Sequence, residues 1–254
     1  MQERYLYGQG QLKLALITAG VVGPFFWVGD VSALSLAFAE EKASHKESYS
    51  GQRSKVREFN ISNDLTVSAT MHDFNAANMA RFTNGTSSST ASGTVTAESL
   101  GTITAGDEIT LANIGVSSVV ITDSNGSPAT IAETHYDLDP KFGNIKFNTL
   151  PTTPAPTMPL KAAYSYAAYD QVSFLTTTGQ QVALRYEGIN LAEGGAPVVV
   201  DIYKLSPGLL QELALITSGN DVAGMQVTGA VLRDSSKSQG GALGQYGRIR
   251  QVAA

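Results

Sequence analysis

A chain of 254 residues with 43% apolar side chains can bury the core of one large domain, or of one domain carrying an insertion, and is not a disordered polymer. Charged residues are only 15% and cysteine is absent, which excludes a disulfide scaffold and a thiolate metal site and leaves a surface of small neutral side chains. The formal charge of −5 argues against a general grip on nucleic acid.

In chain order, Met1-Gln2-Glu3-Arg4 carries both signs of charge with no cleavage-like signal after it, and reads as mature sequence. The apolar run Leu12–Val28 is broken by Lys13, Gly20, Gly23 and Pro24, too short and interrupted for a membrane span. Residues 31–40 alternate, with Leu34, Leu36 and Phe38 on one side and Ala33, Ser35, Ala37 and Ala39 on the other. This period of two predicts a half-buried strand whose first face enters the core. Residues 61–71 repeat the device, Leu65, Val67, Ala69 and Met71 opposing Asp64, Thr66, Ser68 and Thr70. Between them, residues 41–60 are polar and mixed in charge, and predict a long excursion between two neighbouring strands.

Asp73 is placed to cap a short helix over residues 74–82, stopped by Asn84-Gly85. Residues 86–97 are Ser, Thr, Ala and Gly almost throughout, the composition of a flexible connection. From Phe82 to Pro140 there is no Lys or Arg, but seven acids: Glu98, Asp107, Glu108, Asp123, Glu133, Asp137 and Asp139. Short strands are expected on either side of Gly115 and after Gly143-Asn144, while Pro151, Pro154, Pro156 and Pro159 exclude a central strand. Residues 83–159 therefore read as an inserted acidic, β-rich section between core segments 1–82 and 160–254. Strand patterns return at residues 162–175, with Tyr164 and Tyr166, and at residues 182–186, 198–203 and 222–232, before a Ser- and Gly-rich tail. Roughly ten strands and one helix predict a mainly β fold, an antiparallel β-barrel or sandwich with one short flanking α-helix.

Chemistry is sparse. His45, His72 and His135 lack metal-ligand spacing, no Gly-x-Ser-x-Gly elbow occurs, and Gly8, Gly10, Gly20 and Gly23 do not form a dinucleotide loop. Glu40-Glu41 and Asp107-Glu108 are neighbours on a strand and point to opposite faces. No catalytic, cofactor-binding or metal-binding residue is assigned, and no enzymatic activity is expected. The one cationic concentration, in residues 42–57, is interleaved with Glu40, Glu41, Glu47 and Glu58. Mixed signs suit a subunit interface, with Lys42, His45, Lys46, Glu47, Tyr49, Arg53, Lys55 and Arg57 as its members; a plain solvated loop is the competing reading.

Arg4-Tyr5-Leu6-Tyr7-Gly8-Gln9-Gly10, then Phe26-Trp27-Val28-Gly29-Asp30-Val31, then His45-Lys46-Glu47-Ser48-Tyr49-Ser50-Gly51-Gln52-Arg53 resemble the start of the major tail tube proteins of long, non-contractile bacteriophage tails. Tyr136-Asp137-Leu138-Asp139, Gly143-Asn144-Ile145 and Gly188-Ile189-Asn190 are similar to later segments of that family. The resemblance implies rings of six copies stacked head to tail into a hollow tube in the virion tail, assembled in the host cytoplasm. The tape-measure protein and viral DNA would pass through the lumen, with tail terminator and distal tail proteins at the ends and no membrane or cofactor. In such a ring the face away from the core, Ser35, Ala37, Ala39, Asp64, Thr66, Ser68 and Thr70, would look into the lumen. The alternative is that the helix or a second sheet covers it. Another head–tail structural protein, or an extracellular carbohydrate-binding or adhesive β domain presenting Tyr164 and Tyr166, are the competing functions.

Overall fold

The computed structural model describes residues 4–217 and 222–252, so the reading of Met1–Glu3 lies outside the described residues. The strands are, first, β1 (Gly8–Thr18), the short β2 (Val21–Val22) and β3 (Phe26–Trp27), and the long pair β4 (Val31–Lys46) and β5 (Lys55–Met71). One α-helix among the described residues, α1 (Ala76–Phe82), leads to β6 (Thr86–Thr90), β7 (Gly93–Gly101), β8 (Glu108–Thr110), β9 (Val116–Thr122), β10 (Tyr136–Asp139), β11 (Asn144–Phe147) and β12 (Leu160–Tyr166). Then come β13 (Tyr169–Ser173), β14 (Val182–Asn190), β15 (Ala196–Pro207), β16 (Glu212–Leu213), β17 (Met225–Val231) and β18 (Gly247–Gln251).

The chain divides into two units, residues 1–87 with 172–254, and residues 88–171. In the first, ten strands form one sheet whose main path is β2-β1-β14-β15-β17-β5-β4, with β3 on β1, β16 on β17 and β18 on β15. Alternation sends Leu12 and Leu14, Val182 and Leu184, Met225, Val227 and Val231, and Val67, Ala69 and Met71 into one core. The helix packs on that core through Phe82, with Phe74 and Met79 beside it. Its cap is Asn75 and not Asp73: the Asn75 side-chain oxygen accepts from the Asn78 amide at 2.8 Å. Starting two residues later than expected leaves Phe74 free to pack, and the buried Asn78 side chain donates to the Val28 carbonyl at 2.8 Å.

The closed antiparallel barrel or sandwich expected from the sequence does not form; the sheets are open. Closure needs hydrogen bonds between the first and last strands of the path. Here the outer edge of β1 is taken by β3 at Lys13 and Leu14 and by β2 at Ile17 and Thr18, the chain reversing through Ala19 and Gly20, both at positive φ. These two-residue strands end the sheet on one side, and β4 ends it on the other.

The second unit contains two three-stranded sheets, β10-β11-β8 and β7-β12-β9, around Ile121, Ile145, Phe147 and Leu160. β12 therefore belongs with residues 88–171, and residues 86–97, expected to be flexible, contribute β6 and the start of β7. Asp123 pins the proline-rich segment, accepting from the Ala129 amide at 2.7 Å and the Thr157 amide at 3.1 Å. Those bonds, the one from Ala129 foremost, hold its carboxyl below the usual range. Tyr164 is buried, its hydroxyl donating to Glu98 and accepting from Asn113, so it does not present an aromatic binding face. Eight carboxylates face three lysines in this unit, so the whole formal charge of −5 resides in it.

Candidate assembly surface

The most distinctive feature of the first unit is the β4–β5 hairpin. Pairing runs from Val31↔Met71 to Lys46↔Lys55, so most of the expected excursion is strand and only residues 47–54 form the turn. One side chain organises that turn. Glu47, 5% exposed, accepts from the amides of Tyr49 at 3.0 Å, Ser50 at 2.9 Å and Ser54 at 3.3 Å, and from the Ser50 hydroxyl. These bonds, led by those from Ser50, lower its pKa from 4.5 to about 2. A carboxyl whose pKa is depressed in the folded state stabilises fully above its ordinary value and stops doing so as pH falls through the lowered one. The clasp therefore holds at neutral pH and releases between 4.5 and about 2. In Glu47→Gln, the amides of Tyr49, Ser50 and Ser54 are expected to exchange hydrogen faster than wild type at pH 7. Equal protection of the two proteins there would contradict the clasp.

The remaining members of the expected interface lie along the ladder. Lys42 pairs with Glu40 at 2.8 Å and Lys55 with Glu58 at 2.9 Å, while the Arg57 guanidinium stands 5.6 Å from the centroid of the Phe59 ring. His45 is opposite Arg57, Lys46 opposite Lys55, and Arg53 takes a positive φ in the turn, where Tyr49 is 85% exposed. Exposed pairs of this kind are screened by solvent and contribute little, so the backbone ladder and Glu47, and not the charges, hold the hairpin.

The two faces of the hairpin differ. On the core side, Leu34, Leu36 and Leu65 are half-buried against the main cluster, but the strip continues past the end of that cluster. Phe38, expected in the core, is 77% exposed; beyond it the polar pair Glu40–Asn63 ends the strip, and Ile61 falls at the register shift after Glu41. The opposite face pairs Ser35 with Ser68, Ala37 with Thr66 and Ala39 with Asp64, and the Ser35 and Ser68 hydroxyls are 2.7 Å apart. Ser35, Ala37, Ala39, Asp64 and Thr66 are exposed, Ser68 and Thr70 half-buried. Since α1 sits on the core side, it does not cover this face. β17 extends it, setting Thr228 beside Ser68, Ala230 beside Thr66 and Gln226 beside Thr70. The seven residues singled out in the sequence thus share one smooth, short-chained surface.

Beyond β4 lies no further strand among the described residues. Free edges are commonly blunted by lysine, proline or bulges, and β4 has register shifts at Val31/Ala33 and Glu41/Lys42. From Leu34 to Glu40 it has none of these, so its outward amides and carbonyls can template another strand.

A polar row on the outer face of β1, β14, β15 and β18 was not legible in sequence, because its members are far apart in the chain. Register aligns Lys13, Arg185, Asp201 and Arg248 across four strands. Asp201 accepts from Arg185 Nη1 at 2.8 Å, Arg248 Nε at 3.1 Å and Arg250 Nη2 at 2.8 Å, and Glu187 accepts from Lys13 and from Arg185 Nε at 2.6 Å. The bond to Glu187 is the main cause of the raised pKa of Arg185, and the bond from Lys13 the main cause of the lowered pKa of Glu187. The row locks the strands that carry the core; the outward parity of each charged residue in its strand was the only local signal.

His72 is committed to the Ala223 carbonyl and the Ser32 hydroxyl at 2.9 and 2.8 Å, and His135 to the Thr149 hydroxyl at 2.8 Å. No group of three or more His, Asp or Glu converges as a metal site among the described residues, and no described helix is long and apolar enough to cross a membrane. No curated protein matches the chain. Residues 5–250 match the model of the family described as Protein of unknown function UCP028589, and the chain belongs to that family.

Proposed function

We propose that the chain is a structural subunit that polymerises into a hollow tube of the bacteriophage tail type, with rings of six copies stacked head to tail around a conduit for DNA. The observation that carries this reading is the hairpin: its apolar strip runs out of the subunit core to Phe38, beside an unblunted strand edge. Such a surface is expensive to leave in water and templates association. A neighbouring copy that covers the strip and extends the edge removes both liabilities at once.

The second support is the bare face of β4, β5 and β17. Short neutral side chains offer a sliding polyanion few cationic arms, and Asp64 repels phosphates, which suits passage without retention. Buried Tyr164, and Tyr166 half-buried against the same cluster, give the carbohydrate-binding alternative little support. Imaging the concentrated protein tests the proposal, which requires regular hollow assemblies.

A further inference from the structure

Leu14-Ala15-Leu16-Ile17-Thr18-Ala19-Gly20 recurs as Leu213-Ala214-Leu215-Ile216-Thr217-Ser218-Gly219, with six of seven positions identical. Its two occurrences are used differently. In β1 the segment is a paired strand, Leu14 opposite Leu184, Ala15 opposite Ala183 and Leu16 opposite Val182, with Leu14 and Ala15 buried. In the second occurrence, Leu213 pairs with Met225 and packs beside the core, but Leu215 and Ile216 are 85% and 93% exposed. A sequence that this core accepts as a strand is thus held at Leu213 and half-buried Ala214 and offered to solvent from Leu215 to Thr217.

The same unit contains a matching vacancy. A cleft of about 890 Å³ opens between the apolar face of β1, β14, β15 and β18 and the start of β4, lined by Leu6, Leu12, Leu34, Leu36, Val200 and Ile249 among others. Beside it, Gly8–Gln11 of β1 pair only with β14, their other side carrying no strand among the described residues. Gly8, Gln9 and Gly10 of this edge line the cleft, and half-buried Ala214 with the exposed run after it matches the four-residue edge in length, each spanning about 13 Å as a strand.

We propose that this cleft is filled by Ala214–Thr217 of a second copy of the chain, added as a strand along Gly8–Gln11. Successive side chains of a strand point to opposite faces, so of Leu215 and Ile216 one enters the apolar cleft and the other closes its rim. Each copy is then donor and acceptor through different surfaces, a head-to-tail contact that propagates. The contact goes beyond the tube reading: it specifies how two copies join, and holds whatever shape the assembly takes.

The absence of native cysteine makes the test clean. Gln9→Cys and Ile216→Cys chains, prepared separately, are mixed at high concentration under mild oxidation, with Ser35→Cys replacing Gln9→Cys as the control. The expected result is a disulfide between residues 9 and 216 of different copies, identified by peptide mass, well above the control. Adding Leu215→Asp to the Ile216→Cys chain should lower the yield by about tenfold or more, since it sets a carboxylate against an apolar cleft. Leu215 is exposed in the single chain, so this change does not threaten folding. A yield no higher than the control, or an unchanged yield with Leu215→Asp, would overturn the proposal.

Discussion

Replacing Phe38 by glutamate is expected to leave the subunit folded and to suppress its assembly at concentrations where wild type associates. Phe38 is 77% exposed in the single chain, so its removal costs the subunit little. In an assembly the ring is covered by a neighbour, and the substitution forfeits its burial and places an unpaired carboxylate in an apolar contact. Aromatic anchors of this kind contribute about 2 kcal/mol or more, which raises the concentration needed for association by about thirtyfold. Sedimentation velocity over a concentration series, beside a thermal melt, separates the outcomes. The expected variant melts like wild type and stays small; a collapsed melting temperature would place Phe38 in the subunit core, and unchanged assembly would remove the strip from the interface.

Phe147→Ala is expected to unfold residues 88–171 while leaving the ten-stranded sheet intact. The Phe147 ring is fully buried, stands 5.9 Å from that of Tyr136, and belongs to a cluster distinct from the one built on Met71, Met225 and Leu184. Truncating a buried phenylalanine costs about 3–5 kcal/mol, a large share of the roughly 5–15 kcal/mol that stabilises a domain. Hydrogen exchange resolves the two units. Amides of β10, β11 and β12 should lose protection, while those of β1, β14 and β17 keep theirs. Equal loss in both sets would mean that the units fold as one.

Much of this architecture was legible because burial follows local alternation. Leu34 and Leu36, Leu65, Val67 and Met71, and the small residues opposite them fall on the faces that a period of two assigns. Phe38 obeys the same period and is nonetheless exposed, because the pattern records which face a residue takes and not where the core beneath that face ends. The paired stretch beyond Glu41 was hidden for a different reason: its polar residues carry no alternation, and it is held by a backbone ladder closed by the single carboxylate of Glu47. Openness of the sheet turns on β2 and β3, two residues each and too short for any periodic signal. The row through Lys13, Arg185, Asp201 and Arg248 depends on register across strands distant in sequence, which no local window contains. The donor segment Ala214–Thr217 did have a sequence signal, its near-identity with β1, but only the contrast between a buried and an exposed occurrence gives the repeat a meaning.

The claim that joins these features is that the subunit is built to polymerise around a bore. Electron micrographs of the purified protein, taken over a rising concentration series at neutral pH, test it most directly. Rings and stacked hollow tubes of constant diameter, with a central channel, are expected above a threshold concentration. Isolated monomers at every concentration, or solid fibres without a channel, would contradict it.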